Sequence, residues 1–128
     1  MHIDFETFSE VDLKKVGAWS YSRHPSTEVI CTAYAEENEA PRLWVKGSPL
    51  PNFVTTFGKS PETGGLHAWN SFFEWCIWHN TLNWPGTPIS RWSDTAAKAL
   101  ALALPRKLGG CGAALNLPQD SQKDKRGR

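Results

Sequence analysis

A chain of 128 residues with 40% hydrophobic and 21% charged residues has the make-up of a folded domain, sized for one modest core rather than two. Its formal net charge is +1, so no global field draws it to nucleic acid or an anionic membrane, and any such binding has to arise from a local site. No apolar stretch approaches the roughly 20 residues of a membrane span, and residues 1–15 are too acidic for a signal peptide. The expectation is therefore a soluble, cytoplasmic protein.

In chain order, residues 1–8 (MHIDFETF) alternate Ile3 and Phe5 with Asp4 and Glu6, which predicts a strand showing both carboxylates on one face. Residues 12–17 (DLKKVG) have an acidic start and a glycine stop, enough for one or two helical turns. Residues 28–35 (EVICTAYA) are β-branched and apolar, and residues 41–46 (PRLWVK) look like their neighbour across a short polar turn, so an antiparallel three-stranded start is expected. A short helix is expected over residues 52–57, between loops rich in Gly, Pro and Ser. Residues 66–69 read as a short central strand.

Residues 70–80 (NSFFEWCIWHN) carry too broad an apolar surface for a solvent helix and suit one packed on a sheet, with Asn70 as N-cap. The alanine- and leucine-rich residues 94–104 predict a helix capped by Ser93 or Asp94 and stopped by Pro105, and residues 108–117 a glycine-weakened one. From Pro118 onward the sequence is polar and has nothing to bury. Seven tryptophans, five of them between residues 69 and 92, fill an aromatic core or offer surfaces for base stacking. Cys31, Cys76 and Cys111 have no paired spacing and read as reduced thiols.

Two acids one residue apart on a strand suit a hard cation such as magnesium, yet the same spacing occurs on solvated strand faces. The flanking residues add a resemblance. Ile3-Asp4-Phe5-Glu6-Thr7 resembles the first motif of DnaQ-like exonucleases, and Ser9, Asp12-Leu13, Gly17 and Tyr21 continue the pattern of the exonuclease region of phage family A DNA polymerases. His67-Ala68-Trp69-Asn70-Ser71-Phe72-Phe73-Glu74 resembles the second motif, where an acid follows an aromatic and an asparagine stands four residues before it. The likeness resumes at Asp94-Thr95-Ala96, passes Leu104-Pro105, Leu108 and Leu115, and reaches Lys123-Asp124-Lys125.

The order of elements gives an α/β mixed sheet with flanking helices over residues 1–117, which the resemblance makes ribonuclease H-like, and the polar composition gives a disordered tail over residues 118–128. The resemblance implies removal of nucleotides from DNA three-prime ends, as a polymerase proofreader, by a pair of magnesium or manganese ions. Asp4 would bridge both ions, Glu6 would hold the water-activating one, and Glu74 would support the other. Asn70, Phe8 and Phe73 would meet the strand terminus, although helix capping suits Asn70 and core packing suits both rings. The third motif of the family, a tyrosine or histidine followed by aspartate, has no counterpart here: His79 precedes Asn83, and no tyrosine or histidine follows Gly112.

The chain is thus expected to be C-terminally incomplete, weak in activity, and dependent on a polymerase domain or a completing chain. An apolar face left open by the missing part would favour self-association. A noncatalytic remnant that binds nucleic acid or protein is the alternative, and host-cell cytoplasm the expected location for a phage product.

Overall fold

A computed structural model of the protein describes residues 1–59 and 64–121. Five strands, β1 (His2–Phe8), β2 (Glu28–Ala35), β3 (Arg42–Val45), β4 (Leu66–Ala68) and β5 (Trp92–Asp94), form one mixed sheet in the order β3-β2-β1-β4-β5. β3, β2 and β1 run antiparallel, whereas β1, β4 and β5 are parallel. With helices on its faces, this is the α/β arrangement expected of a ribonuclease H-like fold.

The alternation in β1 does what its spacing predicts. Ile3 and Phe5 are buried while Asp4 and Glu6 are exposed, because successive side chains of a strand leave opposite faces. The register with β2 slips between Glu6 and Thr7, where Ile30 is the extra residue of a bulge. β4 pairs with β1 only at His2, opposite His67, so among the described residues most of that edge of β1 has no strand beside it.

Helix α1 (Leu13–Arg23) begins as expected, with the Asp12 carboxylate accepting from the Lys14 N–H at 2.9 Å. It does not end at Gly17. That residue sits at φ 80°, ψ 163° and breaks the helix into two pieces that continue to Arg23. This backbone region is essentially closed to residues with a Cβ. Gly17→Ala is expected to lower stability by roughly 1–3 kcal/mol in a chemical denaturation series, although a Cβ there would meet nothing within 4 Å. The loss would come from backbone strain and not from a clash.

Helix α2 (Asn52–Lys59) matches the expected short helix and runs two residues longer. Helix α3 (Ser71–Cys76) continues as a π-helical stretch, Ile77–Thr81. Asn70 precedes it in a left-handed conformation, φ 66°, and its side chain makes no capping hydrogen bond. The capping role expected for Asn70 is therefore not the one its side chain plays. Strand β5 was not expected. Asp94 closes it and at the same time caps α4 (Thr95–Ala101), accepting from the Ala97 N–H at 3.1 Å. The helix stops three residues earlier than its composition suggests, with Ala103 at φ 58°. Helix α5 (Leu108–Ala114) likewise ends before Leu117, and a short 3-10 turn, Gln119–Ser121, follows. The rest of the expected polar tail, residues 122–128, lies outside the described residues.

The core is aromatic. Trp78, fully buried, meets Trp84 and Trp92 edge-on at 4.9 and 5.6 Å between ring centroids, the geometry that ring quadrupoles favour. Each buried indole N–H needs an acceptor, and one loop supplies three. Trp78 Nε1 donates to Pro85 O, Trp75 Nε1 to Thr87 O, and Trp92 Nε1 to Thr87 Oγ1. His79 locks that loop from the helix side: its Nε2 accepts the Thr87 N–H at 2.9 Å, which leaves Nδ1 to donate to Trp75 O at 2.8 Å. The three cysteines are free thiols. Among the described residues no helix is long and apolar enough to cross a membrane.

Candidate functional site

The carboxylate site is assembled from one strand and one helix. Asp4 and Glu6 rise from the solvent side of β1, opposite Ala33 and Cys31 of β2. The position of β1 is pinned by Thr32 of β2, whose Oγ1 donates to the Asp4 carbonyl at 2.8 Å. Glu74 arrives from α3, which starts two residues after β4 ends and packs beside α1. Because β4 is short, the Phe5 N–H on the open edge of β1 has no strand partner, and the Glu74 carboxyl takes its place: Phe5 N donates to Glu74 Oε2 at 3.1 Å. An unpaired buried N–H carries a desolvation penalty, so this bond gives the fold a reason to hold an acid at this point.

Glu74 is 3% exposed. Burial, reinforced by the negative charge of Asp4 and then of Glu6, pushes its carboxyl up to about 9 against the opposing hydrogen bond from Phe5. It therefore carries a proton at neutral pH. The same pair reaches across to β2, where burial and then the charges of Glu6 and Asp4 raise the Cys31 thiol above its ordinary value. The structure thus brings together Asp4, Glu6 and Glu74, acids separated by about seventy positions, as a mutually repelling set. Among the described residues no three His, Cys, Asp or Glu side chains are posed as a ready-made metal cage. In chemistry the three acids suit a hard cation: all offer oxygen, and a positive ion beside Asp4 and Glu6 would favour the ionised form of Glu74.

The other residues singled out in sequence fall around this set. Phe8 is 59% exposed, on the face that carries Asp4 and Glu6, so it is not part of the core. Phe73 is partly buried and packs against Tyr21, 5.8 Å between ring centroids, which matches the packing role. Tyr21 in turn shares a 2.9 Å hydrogen bond with Thr7 Oγ1, tying α1 to the carboxylate strand. Asn70 contributes through its backbone, N–H to Asp94 Oδ1 at 3.3 Å, and so joins the end of β4 to the cap of α4.

Two participants were not foreseen. Thr32 could not be, because strand register is not written in local sequence. His2 had a visible signal, since it stands two residues before Asp4 on the same face; in the structure its ring stacks on His67 at 5.1 Å.

A DNA polymerase of Bacillus phage SP02 aligns with the whole of the chain at 35% identity over 133 positions. The chain is similar to part of a phage DNA polymerase. It covers 19% of that polymerase's length, so the similarity concerns one segment of a much longer enzyme. No protein-family model matches the chain, and no solved structure does.

Proposed function

We propose that this polymerase-related domain is a three-prime to five-prime exonuclease that trims DNA ends, the proofreading activity that accompanies synthesis. The observation that carries the reading is Glu74. A carboxyl from the middle of the chain is buried against the backbone of the strand that displays Asp4 and Glu6, and that burial, helped by their charges, raises its pKa. A fold rarely tolerates three converging acids without a use for them, and strongly perturbed acids gather at functional sites.

In this reading Asp4 and Glu6 would hold a divalent cation on the solvent face of β1, and Glu74 would join them on losing its proton. Magnesium or manganese bound there would supply water activation and neutralise charge on the departing oxygen. Phe8, exposed beside the acids, offers a face to the terminal base.

The test is a time course with an end-labelled single-stranded oligonucleotide in manganese, comparing the wild type with Asp4→Ala/Glu6→Ala. A ladder shortening from the three-prime end, absent in the double variant, is the expected result. No product from either protein, at concentrations where the wild type binds the oligonucleotide, would leave a noncatalytic binding domain and overturn the catalytic reading.

A further inference from the structure

The outward side of α3 carries rings that the carboxylate site does not use. Phe72, Trp75 and His79 recur at helical spacing along one side, turned away from the buried Glu74. The Phe72 and Trp75 rings lie 6.1 Å apart with 14° between their planes, and Trp19 of α1 lies 6.3 Å from Trp75 with 22° between planes. Trp75 is partly buried and fixed by its bond to Thr87, while Phe72 and Trp19 are 45% and 46% exposed. The Arg23 guanidinium sits over the Trp19 ring, 5.5 Å from its centroid. Buried ring pairs in this protein meet edge-on or tilted, as Trp78 does with Trp84 and with Phe53; these surface rings lie nearly parallel.

The helix beside them is basic within its span, with the Asp12 carboxylate at its N-terminus. Helix α1 contains Lys14, Lys15 and Arg23 and no acid within its span, and all three cations are exposed. In a chain of net charge +1 this is a local concentration of positive charge, suited to a polyanion. Nearly parallel rings with an arginine over one of them, on a helix that also carries two exposed lysines, meet both needs of a single strand: stacking for the bases and cations for the phosphates.

We propose that Trp19, Phe72 and Trp75 form a stacking platform for the bases of single-stranded nucleic acid, with Lys14, Lys15 and Arg23 beside its phosphates. The platform is held firmly to the carboxylate strand, because Tyr21 on the same helix bonds to Thr7 of β1. Glu74 and Phe72 share one helix, about 10–12 Å across with its side chains, so a strand on the platform lies within a short run of the acids. That the strand leads to those acids rests on the exonuclease reading; binding by the platform does not.

The experiment measures fluorescence anisotropy of a labelled oligothymidylate with chelator present and at low salt, so that binding is read without hydrolysis. Trp19→Ala and Phe72→Ala are each expected to weaken binding by roughly tenfold or more, and Trp19→Phe to retain most of the affinity. Lys14→Ala/Lys15→Ala is expected to lower the slope of log Kd against log salt by about 1.4 if both lysines meet phosphates. Thermal unfolding of each variant checks that it is folded; should Trp19→Ala not fold, Trp19→Phe together with Arg23→Gln and Phe72→Ala decides. Unchanged affinity in the folded ring variants, or no binding by the wild type, overturns the platform. Ring-dependent binding without any Asp4-dependent shortening would keep the platform and sink the exonuclease reading. Asp4-dependent shortening with binding indifferent to the rings would do the reverse.

Discussion

Replacing Asp4 with asparagine will reduce manganese-dependent shortening of a single-stranded oligonucleotide by about a thousandfold or more, with the unfolding midpoint held within a few degrees of the wild type. The two halves of this expectation have different causes. Asp4 is exposed and stands on the solvent face of β1; its backbone carbonyl, not its carboxylate, receives the structural bond from Thr32. Asparagine keeps the shape and the backbone, so the sheet should be little disturbed. What it removes is the full negative charge, and a neutral amide oxygen is a much poorer ligand for a divalent cation than a carboxylate.

Glu6→Gln should follow the same pattern with a smaller loss, since Asp4 stands closer to Glu74 electrostatically and its charge weighs more on that carboxyl. Rates from single-turnover experiments across a manganese titration separate weakened ion binding from weakened chemistry. An Asp4→Asn protein that shortens DNA at the wild-type rate would remove Asp4 from the site.

Much of this architecture is visible in the chain because local signals and tertiary demands agree. The alternation of Ile3, Asp4, Phe5 and Glu6 already states which side chains face the core. The β-branched run over β2 reads correctly to the residue, since an apolar stretch bounded by a turn leaves few other options. Disagreement appears where a residue answers to something distant. Gly17 reads as a stop, yet the helix resumes beyond it, because Tyr21 must reach Thr7 and Trp19 must reach Trp75. Asp94 reads as a helix cap and is one, but it also closes β5, which exists only through its pairing with β4. Three residues of strand leave no periodicity to detect.

The candidate site is legible in a different way. Residue types and spacing placed Asp4 and Glu6 together on one strand, and that much follows from period-two geometry alone. Nothing local could place Glu74 beside them. Its position in a broad apolar helix, among Phe73, Cys76 and Ile77, marks it as an acid where a hydrophobe would serve, which is a signal of burial and not of partnership. The partnership depends on β4 being too short to cover the edge of β1, and on Phe5 consequently needing an acceptor. Asn70 shows the converse: a strong local preference for capping is overruled, because the chain must turn sharply from β4 into α3 and the left-handed conformation, open to asparagine, makes that turn.

The stability of the metal-free protein will fall as pH rises from about 5 to 9, and Glu74→Gln will remove most of that fall. Burial and the neighbouring charges push the Glu74 carboxyl from 4.5 up to about 9. Between those values the folded protein holds a proton that the unfolded chain has released. Stability therefore decreases with rising pH throughout that window and levels off beyond its two ends. Glutamine stays neutral at every pH and keeps an oxygen for the Phe5 N–H, so at pH 8 it should be more stable than the wild type by roughly 2–5 kcal/mol. At pH 4 the two should be nearly alike.

A divalent cation flattens the slope for the wild type, and Glu74→Gln has little slope to lose. Binding that draws Glu74 into its ionised form releases a proton, so manganese affinity should climb with pH, by up to about tenfold per unit below 9. Denaturant unfolding at several pH values, with chelator and with manganese, measures both effects. A metal-free wild type as stable at pH 8 as at pH 5 would mean that Glu74 is already ionised in the folded protein. The acids would then be held by cationic partners and not poised for a metal.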